Sequence, residues 1–310
     1  MESDRIDSAM QAADALAAAG NNDGAIAKLR EILKEHPEDP HILAMLTIFQ
    51  IRANRPDDAI KSGEAAIAVA PGYDFAHRAL GWALQQKGSD KRAETHFRTA
   101  LGLEPEGAYN HYAHALLMMK LNRRKEASEA MEMALAIDPE NSTFLGACAE
   151  LRVSEGKLDE ATDLADRALA LDPDETGALL ARAEVDLRRG HLAEARENVL
   201  WVLRHEATNP RAINLLCQVK ARQNPIMGLW WRWAVWMQKF GGWRAWAVVI
   251  LIYLAFQLFR ATLLPAFGEA LQALVVLAWF GFAVLTWIGP SIFRRMVRKE
   301  LKKVTLRPDF

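Results

Sequence analysis

Cysteine is scarce in this chain: its 310 residues include only Cys148 and Cys217. Two thiols exclude a disulfide-stapled scaffold and fit a reducing compartment. The N-terminus, Met1-Glu2-Ser3-Asp4-Arg5, lacks the basic start and apolar run of a secretory signal. The front half is therefore expected to stay unexported. No glycine-rich phosphate loop, nucleophile elbow or pair of catalytic carboxylates stands out. No catalytic residue and no cofactor is expected, and the chain reads as a non-enzyme. The front also lacks a surplus of positive charge. The chain holds 38 Lys+Arg and 39 Asp+Glu; 11 and 3 of these lie from Pro225 onward, leaving 27 and 36 before it. An acidic front argues against a nucleic-acid surface, which needs clustered positive charge. Aromatic side chains are also unevenly spread, with eight of the ten Trp between Trp230 and Trp287. Two regions in different surroundings follow from this division.

What the front does contain is a repeat. Pro37, Pro71, Pro105, Pro139 and Pro173 are spaced by 34 residues. Alanine keeps the same interval at Ala25, Ala59, Ala93, Ala127, Ala161 and Ala195, although Ala207 stands where a sixth proline would fall. A small-residue column runs through Ala13, Thr47, Gly81, Ala115, Ala149 and Ala183, and another through Ala66, Ala100, Ala134 and Ala168. Such columns let paired helices approach closely. Gly20, Asn54, Gly88, Asn122, Gly156 and Gly190 form a further column. Gly and Asn tolerate the left-handed backbone that ends a helix, so this column predicts the turn within each helix pair. The proline then stops the second helix of the pair.

On these residues the chain resembles the tetratricopeptide repeat family, a 34-residue helix–turn–helix with the pattern W-x2-L-G-x2-Y, A-x3-F, P. The unit from Asp74 to Gly107 matches it best, through Leu80-Gly81, Ala93, Phe97, Ala100 and Pro105. It departs at the tryptophan slot, where His77 and His111 stand, and at the tyrosine slot, which holds Leu16, Gln50, Leu84, Met118, Arg152 and Asp186. The resemblance implies an all-α, right-handed α-solenoid of about six repeats over residues 6–222, with Pro210 to Arg222 as a capping helix. It also implies a groove, lined by the first helix of each pair, that takes a protein or peptide partner.

The groove positions lie 30, 27, 23 and 20 residues before each proline. They are His41, Ala44, Ile48 and Ile51 in the second unit and Phe75, Arg78, Trp82 and Gln85 in the third. The fourth unit gives Tyr109, Tyr112, Leu116 and Met119, and the fifth Thr143, Gly146, Glu150 and Val153. Units two to four thus present an aromatic and aliphatic patch suited to a partner. The alternative is that Trp82 and Tyr112 only complete the packing between units. The lysine–asparagine clamp that some family members use for terminal carboxylates is absent from these positions. His77, His111 and His114 fall on adjacent first helices, but they lack carboxylate or cysteine partners, so packing is expected there and no metal. Cys148 and Cys217 are expected to pack as small hydrophobes.

The back half reads as a membrane region. Residues 226–240, with Trp230, Trp231, Trp233, Trp236, Arg232 and Lys239, fit an interfacial helix or one docked on the last repeat. A transmembrane hairpin is expected over residues 243–290, with spans at about 243–264 and 270–288. Trp243, Trp246 and Trp287 stand at its interfaces. Basic residues flank both outer ends, and Arg294 and Arg295 open a basic tail over 291–310 that suits anionic lipid headgroups. The charge bias predicts an integral membrane protein with both ends cytoplasmic, and an alanine- and arginine-rich composition points to a bacterial inner membrane. The expected role is a membrane-anchored adaptor. The alternative is an assembly subunit acting, or self-associating, through the Trp-rich hairpin.

Overall fold

The computed structural model describes residues 2–223, 237, 242–262, 264, 268–269 and 271–281. The chain divides into two compact units, Met1–Ala178 and Leu179–Phe310.

The first unit is a helical-repeat solenoid built from α1 (Glu2–Ala18), α2 (Asn22–Glu35), α3 (Pro40–Arg52), α4 (Pro56–Val69), α5 (Asp74–Gln86), α6 (Asp90–Leu103), α7 (Ala108–Lys120), α8 (Arg124–Ile137), α9 (Ser142–Glu155) and α10 (Leu158–Leu171). Consecutive helices pack as pairs, and α3, α5, α7 and α9 also touch one another in sequence. The turn column behaves as its composition demands. Gly20, Asn54, Gly88, Asn122 and Gly156 all have positive φ, between 57° and 84°. The alanine columns form the pair interface: Ala25, Ala59, Ala93, Ala127 and Ala161 are fully buried, as are Ala66, Ala100, Ala134 and Ala168. Gly81 shows why one slot must be so small. A Cβ there would lie 2.4 Å from Cε1 of Phe97, so the ring occupies the space that any side chain would need.

Helix starts have local causes too. Asp39 caps α3 by accepting from the backbone N–H of His41 (2.9 Å) and of Ile42 (3.0 Å), and Pro40 opens that helix. Asn21 and Asn141 cap α2 and α9 in the same way.

The second unit contains α11 (Thr176–Arg189, whose first turn belongs to the first unit), α12 (Leu192–His205), α13 (Pro210–Gln223) and α14 (Gly242–Thr262). Gly190 again has positive φ, 91°. Its α12 ends at His205, two residues before Ala207, in the same register at which α2, α4, α6, α8 and α10 end before their prolines. The helix stop therefore does not require the proline.

Candidate functional site

The side chains at Phe75, Arg78 and Trp82 recur at helical spacing on α5, and those at Tyr109, Tyr112, Leu116 and Met119 on α7, so each set shares one face. His41 and Tyr109 are exposed; Ile48, Phe75, Arg78, Trp82, Tyr112, Leu116 and Met119 are half-buried. Ala44, Gly146 and Val153 stand at the same phase but are buried. A Cβ on Gly146 would meet Oε2 of Glu175 at 2.2 Å, so a neighbouring carboxylate covers that position.

The rings form a connected band across α3, α5, α7 and α9. His41 Nδ1 lies 2.8 Å from the Tyr73 hydroxyl. The Phe75 ring is 5.8 Å from His41 and 5.9 Å, edge-on, from Tyr73. Tyr109 meets Tyr112 edge-on at 6.4 Å, and Phe144 sits 5.0 Å from Tyr109 and 5.1 Å from Tyr112. Each such pair contributes about 0.5–1.5 kcal/mol beyond burial. Arg78 joins the two halves of the band. Its guanidinium carbon lies 4.9 Å from the Phe75 centroid, 5.7 Å from Tyr109 and 5.8 Å from Trp82.

A polar network holds that cation from beneath. Arg78 Nη1 donates to Asn110 Oδ1 at 2.6 Å and to Asp74 Oδ2 at 3.3 Å. The fully buried Asn110 donates in turn to Asp74 Oδ2 at 2.9 Å. Burial is the main influence on Arg78 and holds its pKa below the usual guanidinium range, against the Asp74 carboxylate. Burial also pushes the Tyr112 phenol well above its usual value, with the Glu150 and Glu175 carboxylates adding to the shift. Glu175 is itself raised by burial and accepts from the backbone N–H of Ala178.

Four contributors escaped the phase rule: Tyr73, Asp74, Asn110 and Phe144. Tyr73 precedes α5, and Phe144 lies one position inside the groove phase. Their rings reach the band from the loop and from the buried side. Aromatic content at Tyr73 and Phe144, and a lone Asn in an otherwise apolar phase of α7, were the available signals.

The histidines divide differently from their sequence grouping. His77 Nε2 donates to the Pro71 carbonyl at 3.0 Å, and its Nδ1 lies 3.2 Å from His96 Nδ1. His111 Nε2 bonds the Pro105 carbonyl at 2.8 Å. Among the described residues no group of three His, Cys, Asp or Glu is placed to hold a metal. Burial pushes the Cys148 thiol up and the Cys217 thiol up to about 11. Beside Cys148, Arg152 is bound by Glu132 (2.8 Å), Glu155 (2.9 Å) and Glu160 (3.3 Å). The charge in that tyrosine slot is thus structurally engaged.

In the second unit, α14 and the helical residues 271–281 meet through Phe256 and Trp279, whose rings stack at 4.1 Å and 8°. Leu251, Leu254, Leu258, Leu274, Leu277 and Phe280 are among the large apolar side chains exposed there. Among the described residues no helix is long and apolar enough to cross a membrane. The expected spans at 243–264 and 270–288 are only partly covered by described residues. Trp230, Trp231, Trp233, Trp236, Trp287, Arg294 and Arg295 lie outside them, as do the side chains of Trp243 and Trp246.

Two tetratricopeptide repeat family models match the chain, one over residues 16–87 and one over residues 112–176. A thermophilic TPR protein of Thermus thermophilus, TTC0263, is 26% identical, with a TM-score of 0.54 over 58% of this chain and 98% of that one. PilF of Pseudomonas aeruginosa is 17% identical, with a TM-score of 0.51 over 68% of this chain and 96% of that one. The Cut9–Hcn1 structure of the APC/C gives 13% identity and a TM-score of 0.61 over 68% of this chain and 42% of that one. No curated protein matches.

Proposed function

Taking the chain as a tetratricopeptide-repeat protein, we propose that it is an adaptor that captures a protein or peptide partner on the face of α3, α5, α7 and α9. The carrying observation is the ring band from His41 to Phe144, half open to solvent and joined by Arg78. Rings that only filled the core would be buried throughout, yet Tyr109 is 47% exposed. Phe75, Trp82 and Tyr112 are the anchors. No bond is made or broken. The test is affinity capture with the full-length chain beside a Trp82→Ala/Tyr112→Ala version that still melts cooperatively. A partner held by the first and lost by the second supports the groove; a partner held equally by both refutes it.

The domain plan proposed with this role keeps repeats and cap in residues 6–222 and gives residues 226–310 to a bilayer. The exposed apolar side chains on α14 and 271–281 support it, because water is a poor neighbour for so many Leu and Phe. The Trp and Lys/Arg that flank them in sequence suit an interface with anionic headgroups. Anchoring would raise the partner's effective concentration at a bacterial inner membrane, with repeats and tail cytoplasmic. Release of the full-length chain from membranes by alkaline carbonate would overturn the anchor and leave the groove reading untouched.

A further inference from the structure

Between Arg244 and Arg260, α14 carries one polar pair in an otherwise apolar run: Tyr253 and Gln257. Gln257 Nε2 donates to the Tyr253 hydroxyl oxygen at 2.7 Å. Among the described residues neither side chain has a further hydrogen bond. The Tyr253 O–H therefore still has a proton to give, and Gln257 Oε1 still has lone pairs to share. Tyr253 is 49% exposed and stands one residue past Ile252, the middle of Gly242–Thr262. A tyrosine that marks a membrane surface would stand near a helix end. Ile250, Tyr253, Leu254, Gln257 and Ala261 follow the i, i+3, i+4, i+7, i+11 spacing of a single helix face. Ile250, Leu254 and Ala261 are exposed there. The face turned to residues 271–281 is a different one. Ile252, Phe256 and Phe259 are half-buried on it, and Phe256 stacks on Trp279. Gln257 lies about 100° around the helix from Phe256.

Resting on the bilayer reading above, we infer that a second copy of this chain packs on the Tyr253–Gln257 face of α14 within the membrane, the two copies exchanging hydrogen bonds across a two-fold axis. Hydrocarbon offers no partner to the remaining O–H and C=O, so another helix must supply one. Copies of one chain insert with the same orientation, so their α14 helices run parallel and equal positions meet at one depth. The 2.7 Å bond brings the Gln257 amide to the Tyr253 hydroxyl, which sets the remaining donor and acceptor side by side. Such a pair is complementary to itself. Tyr253 O–H of each copy donates to Gln257 Oε1 of the other, the reciprocal contact that a two-fold interface requires. Turning the amide over exchanges donor and acceptor and leaves that complementarity intact. A dimer of this kind carries two repeat grooves, suited to a partner that presents its binding segment twice.

The experiment mixes donor- and acceptor-labelled full-length chains in vesicles of phosphatidylethanolamine and phosphatidylglycerol and follows energy transfer as lipid is added. Transfer is expected to persist on dilution. Tyr253→Phe and Gln257→Leu are each expected to weaken association at least tenfold, and Leu251→Ala, outside that face, to leave it unchanged. A second measurement needs neither polar residue altered. With Cys148 and Cys217 replaced by alanine, Ile250→Cys is expected to form an intermolecular disulfide under mild oxidant, and Ala255→Cys, on the far side of α14, to form none. Chains that separate freely on dilution, transfer that survives Tyr253→Phe/Gln257→Leu, or cross-linking at Ala255→Cys in preference to Ile250→Cys each overturn the inference. Release of the chain from the vesicles by alkaline carbonate brings down the bilayer reading itself. A chain that stays in the vesicles as a monomer brings down this inference alone.

Discussion

Gly81 and Phe97 fill one space between α5 and α6. Gly81→Ala places a methyl group against the ring edge. Better helix propensity favours the variant by about 1 kcal/mol, but overpacking costs about 1–3 kcal/mol. A net loss is expected in thermal denaturation, and Phe97→Leu in the same chain is expected to relieve it. His96 gives a pH dependence. Burial, then His77 and Arg92, hold its imidazole below the ordinary value of 6.5, with Glu64 opposing. His114 is likewise lowered by burial, then Arg98 and Arg123, against Glu94 and Glu126. Both groups stay neutral in the folded chain while the unfolded chain takes up protons. Stability is therefore full above about pH 6.5 and declines as the pH falls. Melts between about pH 7.5 and 5 are expected to shift downward, and less steeply in His96→Gln. At this scale the sequence was only partly legible. Counting along α5 and α7 found Phe75, Trp82, Tyr109 and Tyr112. It missed Tyr73 and Phe144 because a helical phase says nothing about rings arriving from a loop or from the next helix.

Helices and turns were the more legible level. Each Gly or Asn of the turn column takes positive φ, because the energetic cost of a Cβ in that region is what distinguishes these residues from others. The proline column was a less direct signal. The ending of α12 before Ala207 shows that the turn and the following helix set the stop, while proline reinforces it. Caps are a separate local device. Asp39→Ala removes the acceptor of two backbone N–H groups at the start of α3 and is expected to cost about 1 kcal/mol, read as a lowered midpoint in urea. The ion pairs that bridge successive turns, Arg55–Asp23, Lys87–Asp57 and Lys120–Asp90, are substantially exposed. Surface pairs of this kind are worth about 0–1 kcal/mol, so roughly 0.5 M salt is expected to move the melting midpoint little.

For the whole chain, composition separated an acidic repeat region from a Trp-rich, basic one, and the structure gives the two different characters. The repeats bury most of their large apolar side chains; α14 and residues 271–281 leave many of theirs exposed. On the bilayer reading, the full-length chain resists carbonate extraction and a chain ending at Gln223 is recovered in the soluble fraction. What composition could not supply was the arrangement of the ring band, because the place of Arg78 among the rings depends on where Asn110 and Asp74 sit.

The helices of the first unit touch mainly their immediate neighbours and the corresponding helix one pair away. That pattern has a kinetic consequence. No long loop must close before a native contact can form, so little chain entropy is lost ahead of the first stabilising contact. Assembly can start at any helix pair and spread outward in both directions, and the terminal pair, which has one neighbour in place of two, is the first to open.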